Sequence, residues 1–121
     1  MQNILLVNND LDLLSLLKAW LERKRYRVQV TTNHRDVQTI ISNFKPGLVL
    51  ADILQEKAVR NIKETESTKN LPVLLMTGHT NRIKNETYHA DDFIEKPFNL
   101  PLLETKIEQL LGRNGNLNSK F

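Results

Sequence analysis

Two kinds of apolar pattern alternate along the chain. Short unbroken runs, "NILLV" at residues 3–7, "LVLAD" at 48–52 and "LPVLLMT" at 71–77, leave no position for a wet face. Such runs, bounded by turn-forming residues, predict strands covered on both sides. Pro72 opens the last of them, where a missing N–H donor is tolerated. "RVQVTT" at 27–32, alternating and rich in β-branched residues, and "DFIEK" at 92–96 bring the expected strands to five. Between them the period changes to three and four. Leu13, Leu14, Leu17, Trp20 and Leu21 predict an amphipathic helix from Asp10 to Lys24, with Asp10 and Asp12 at its start, where acids suit the helix dipole. Val37, Ile40, Ile41 and Phe44 predict a second helix, closed by Pro46-Gly47.

The remaining helices are uneven. Residues 55–68 are polar, and only Ala58, Val59 and Ile62 anchor a short third helix. Residues 80–90 hold few apolar anchors, so a fourth helix there is expected to be short or irregular. Leu100, Leu103, Ile107, Leu110 and Leu111 mark a final helix, with Gly112 as its expected stop. Buried strands alternating with helices imply an α/β fold with one doubly wound parallel sheet. Residues 1–111 read as a single domain and 112–121 as a flexible tail. In open sheets of this kind, sites form beyond the carboxyl ends of the strands.

Composition narrows the chemistry. With 121 residues, 40% hydrophobic and 26% charged, the chain suits one globular domain. No apolar run approaches the roughly 20 residues that cross a bilayer, and no leader pattern opens the chain, so a cytoplasmic location is expected. The absence of cysteine removes thiolate nucleophiles and thiolate metal sites. The net charge of +3 is scattered; only "RKRYR" at 23–27 is dense, and it reads as a solvated helix end, not a nucleic-acid surface. His34, His79 and His89 read as loop histidines, of which His79 lies where it could reach the rim of a site. No HExxH, GxGxxG, GxxxxGK[ST] or GxSxG pattern occurs, and no enzymatic turnover is expected.

The strand ends carry the candidate site: Asn8, Asn9 and Asp10; Asp52; Thr77 and Gly78; Lys96-Pro97. An aspartate facing a lysine and a hydroxyl suits acceptance of a phosphoryl group, because cations and donors neutralise charge on the transferred oxygens. At this point "ILLVNND", "LVLAD", "LPVLLMTG" and "FIEKPF" together resemble the response-regulator receiver domain of two-component signalling, to about Leu111. The resemblance implies a flavodoxin-like fold with strand order 2-1-3-4-5. It also implies an aspartyl-phosphate at Asp52, supplied by a histidine kinase or phosphotransfer protein. By the same resemblance Thr77 contacts the phosphoryl group, Gly78 leaves its approach open, Lys96 pairs with acceptor and phosphate, Lys96-Pro97 is cis, and Phe93 takes the aromatic switch position without a hydroxyl. An unidentified downstream protein would receive the signal, and a homodimer stays open.

The sequence departs from that family twice. Where receivers carry two acids that help hold Mg²⁺, this chain has Asn8 and Asn9. An Asn carbonyl still coordinates, so Asn9, Asp52 and the Leu54 carbonyl, with Asp10 as a further candidate, imply a weakened Mg²⁺ site. After Asp52 the family's Met-Pro turn and later Gly are replaced by "ILQEKAVRNIK", and the segments from Asp52 to Pro72 and from Thr77 to Lys96 look short. Two readings follow: a phosphoryl-accepting signalling domain, or an atypical receiver that binds protein independently of phosphorylation.

Overall fold

A computed structural model describes residues 2–78 and 90–115, with side chains to Gly112. In chain order the elements are β1 (Asn3–Val7), α1 (Leu11–Arg23), β2 (Arg27–Thr31), α2 (Val37–Phe44), β3 (Leu48–Asp52), α3 (Glu56–Glu64), β4 (Val73–Thr77), β5 (Asp92–Glu95) and α4 (Leu100–Gly115). Single 3-10 turns, His34–Asp36 and Ile53–Gln55, lead into α2 and α3. All strand pairs are parallel, in the order β2-β1-β3-β4-β5, as expected. The order reverses between β1 and β3, and a crevice opens there at the carboxyl ends of the strands.

Strand alternation divides the core in two. Even-numbered Ile4, Leu6, Leu48, Leu50, Leu74 and Met76 face Leu14, Leu17 and Leu21 of α1 and Leu103, Ile107 and Leu110 of α4. Odd-numbered Leu5, Val7, Val49, Ala51, Val73 and Leu75 face Val37 of α2 and Ala58, Val59 and Ile62 of α3. This is why the central strands read as continuous apolar runs: each face has its own helical layer. The three anchors expected of the third helix are its three buried residues, and they suffice for nine residues of helix.

The helix ends follow local chemistry. Asp10 caps α1, its Oδ1 accepting from the Leu13 N–H at 3.1 Å. Asn99 does the same for α4 through the Leu102 N–H at 2.8 Å. Lys45 ends α2 in the left-handed region at φ 53°, immediately before Pro46. Gly112 does not stop the last helix, which runs to Gly115. A glycine costs only about 1 kcal/mol in a helix interior, less than the packing of Leu110 and Leu111 immediately before it supplies. The expected fourth helix at 80–90 lies, but for Ala90, outside the described residues, as do His79, His89 and residues 116–121 of the expected tail. No described helix is long and apolar enough to cross a membrane.

Candidate functional site

The strand ends converge as the topology requires. Asp52 is the last residue of β3, between the ends of β1 and β4. Its side chain is 4% exposed, and its Oδ1 lies 2.5 Å from Lys96 Nζ, whose own side chain is 36% exposed. Its Oδ2 accepts from the Leu54 N–H at 2.8 Å, across the tight turn that replaces the Met-Pro segment. Both carboxylate oxygens are therefore held, one by a surface cation that can swing aside and one by the backbone.

Lys96 is placed by its own main chain: its N–H donates to the Thr77 carbonyl at 2.7 Å, and the Lys96-Pro97 bond is cis. Thr77 is fully buried at the end of β4, one position beyond Met76, the register partner of Asp52. Gly78 is exposed, and among the described residues a Cβ there would meet nothing within 4 Å. Phe93 sits opposite Leu75 and packs, half-buried, on the α2–α3 side of the sheet.

The residues after β1 divide their roles. Asn8 is buried and is the next step beyond the Val7–Ala51 pair, which puts it beside Asp52 on the same face. Its Oδ1 accepts from the Asp10 N–H at 2.9 Å, and its Nδ2 has no hydrogen-bond partner among the described residues. Asn9 is exposed, with its Oδ1 accepting from Gln55 Nε2 at 2.6 Å. Of the two roles open to Asp10, the helix cap is the one observed.

Gln55 is the residue that the sequence pattern did not single out. It is buried, and it joins Asn9 Oδ1 to the Thr32 carbonyl, 3.2 Å from the same Nε2. A single turn after a strand returns the third residue toward the strand end, and a polar residue at that offset from Asp52 was the available signal. Asn9, His34, Leu54 and Gln55 line an open cleft of about 340 Å³, so His34 belongs to the surroundings of the site and not to a remote loop.

These donors suit Mg²⁺ poorly. That ion favours carboxylates in a strict octahedron, and the site offers one carboxylate with both oxygens engaged. The amide oxygen of Asn9 faces Gln55, and Leu54 contributes its N–H to Asp52. Among the described residues no cluster of three or more Asp, Glu, His or Cys could hold a metal ion. The two amides also change the electrostatics: with adjacent strands about 5 Å apart, a carboxylate at Asn8 would repel Asp52 by about 3 kcal/mol at an effective dielectric near 20. Here that repulsion is absent, and among the described residues Lys96 is the cation that balances Asp52.

Comparison with known proteins concerns the family and the fold. The regulatory protein VanRB of Enterococcus faecalis is 30% identical over 98% of this chain and 56% of its own length. The transcriptional regulatory protein CpxR of Escherichia coli is 30% identical over 94% of this chain and 51% of its own. The chain thus spans about half the length of these relatives. Among solved structures, the signal receiver domain of a signal transduction histidine kinase from Syntrophus aciditrophicus superposes with a TM-score of 0.87 at 25% identity, covering 96% of this chain and 94% of that one. TrrA of Thermotoga maritima, solved in complex with Mg(2+)-BeF, shares the fold with a TM-score of 0.80 at 22% identity, over 91% and 99% of the two chains. The family model described as the response regulator receiver domain matches residues 4–108, and the chain belongs to that family.

Proposed function

We propose that this chain accepts a phosphoryl group on Asp52 from a histidine kinase or phosphotransfer protein and passes the signal on by protein contacts, without turning over a substrate. The observation that carries the reading is the Asp52–Lys96 pair. A carboxylate buried at the carboxyl end of the central strand is held by one backbone N–H and covered by one partly exposed ammonium. In transfer, the Asp52 oxygen attacks phosphorus while Lys96 Nζ shifts from the acceptor to a phosphoryl oxygen, following the negative charge. Gly78 leaves room for the incoming group, and Thr77, at the adjoining strand end, is placed to sense it.

TrrA, which shares this fold, is solved in complex with Mg(2+)-BeF. In this chain we infer weak Mg²⁺ binding, because Asn8 and Asn9 supply neutral amides. A second reading, a receiver that binds its partner whether or not it is phosphorylated, is favoured by one observation: Gln55 already engages the oxygen of Asn9.

The deciding measurement is intact mass after incubation with acetyl phosphate. Under the first reading the protein gains one phosphoryl group, and Asp52→Ala gains none. An unmodified parent at every Mg²⁺ concentration would favour the second.

A further inference from the structure

The acceptor site contains a buried donor that its internal bonding leaves unused. Asn8 is only 3% exposed. Because the Asp10 N–H donates to its Oδ1 at 2.9 Å, the orientation of the amide is fixed, and Nδ2 is the end without a partner among the described residues. Buried polar atoms are nearly always satisfied, so such an atom calls for an explanation. Asn8 follows Ile4 and Leu6 along the chain as Asp52 follows Leu48 and Leu50, and each is one step beyond the paired Val7 and Ala51, the last register pair of β1 and β3.

Resting on the acceptor reading above, we propose that this site takes up its phosphoryl group without a divalent cation, with Asn8 Nδ2 and Lys96 Nζ as the donors to the phosphoryl oxygens. Two further features fit. Gln55 Nε2 donates to Asn9 Oδ1 at 2.6 Å and to the Thr32 carbonyl at 3.2 Å, so a neutral N–H occupies the oxygen that would otherwise turn to a cation. The charges of Asp52 and Lys96 cancel, so an incoming phosphoryl dianion meets no excess negative charge from this pair and needs no ion to offset one.

With acetyl phosphate the step balances simply. The Asp52 oxygen forms a bond to phosphorus, the bond from phosphorus to the acetyl oxygen breaks, and acetate leaves with the electron pair. No proton is transferred. From a phosphohistidine protonated on its other ring nitrogen, the P–N bond breaks and neutral imidazole leaves with the pair.

The test compares modification by acetyl phosphate in EDTA and in Mg²⁺, read by intact mass, together with the side-chain amide resonances of Asn8. Rates within about threefold of each other in the two buffers, with the Asn8 NH₂ resonances shifting on modification, are expected when no ion screens the charge. The double variant Asn8→Asp, Asn9→Asp should lose at least about tenfold in EDTA and recover in Mg²⁺, because two carboxylates restore the repulsion. The resonance measurement needs no variant and so does not depend on how the double substitution folds. Modification of the parent only in Mg²⁺ overturns the inference and leaves the acceptor reading standing. No modification in either buffer overturns both, and Asn8 resonances that stay still during modification in EDTA overturn the donor role of Asn8.

Discussion

The two ends of the sheet each hold a lysine–aspartate pair, and the pairs are built in opposite senses. At the amino end Lys63 is the buried partner, its side chain 8% exposed against 31% for Asp91. Its Nζ lies 2.7 Å from Asp91 Oδ2 and also donates to the carbonyls of Leu71 at 2.7 Å and Lys69 at 3.2 Å. Asp91 in turn accepts from the Val73 N–H at 2.7 Å. This cluster ties the segment after α3 to the starts of β4 and β5, and it leaves little for a ligand to do. At the carboxyl end the acid is buried and the lysine reaches it from the surface, while an amide nitrogen of Asn8 has no partner among the described residues. The first network is closed; the second has a partly exposed cation and a buried donor without a partner among the described residues, as the proposed acceptor role requires.

That contrast predicts effects of graded size. The largest belongs to Lys63→Met, which strands two carbonyls and a carboxylate. It should lower unfolding stability by about 3 kcal/mol in urea titration; a loss below about 1 kcal/mol would mean that the amino-end network is no more than a surface pair. The intermediate effect concerns the opposite end. Asn9→Asp adds a carboxylate after β1 and should tighten Mg²⁺ binding about tenfold, roughly 1.4 kcal/mol. An unchanged Mg²⁺ titration would show that Asn9 does not face the ion. The smallest effect is expected of Asp52→Asn. It removes a buried charge yet leaves Lys96 free to turn to solvent, and stability should stay within about 1 kcal/mol of the parent by thermal melt. A loss comparable to that of Lys63→Met would break the distinction between a stabilising end and a receiving end.

Most of the fold was legible because it depends on local pattern. The unbroken runs at 3–7, 48–52 and 73–77 could only be strands with helices on both faces, and the spacing of Leu14, Leu17 and Leu21 marked the buried stripe of α1. Asp52 and Lys96 were legible as a pair because parallel topology brings strand ends together. The end of α4 was misjudged at Gly112, since a propensity signal of about 1 kcal/mol yields to packing nearby. Gln55 was missed for a different reason. In sequence it is one polar residue in a polar segment, and only the 3-10 turn after β3 returns it to Asn9 and Thr32. Lys63 is a similar case, since its partners lie at residues 69, 71 and 91.

The sequence by itself determined the alternating α/β architecture, the carboxylate of Asp52 at a strand end and the replacement of two expected acids by Asn8 and Asn9, because periodicity and residue chemistry are properties of the chain. The tertiary structure alone decided which oxygens and nitrogens are already engaged. Hydrogen bonds of 2.5–3.2 Å between distant residues depend on strand register and turn geometry, which no local pattern encodes. Thus two substituted amides, read along the chain as a loss of metal ligands, become in three dimensions one oxygen satisfied by Gln55 and one buried nitrogen without a partner among the described residues.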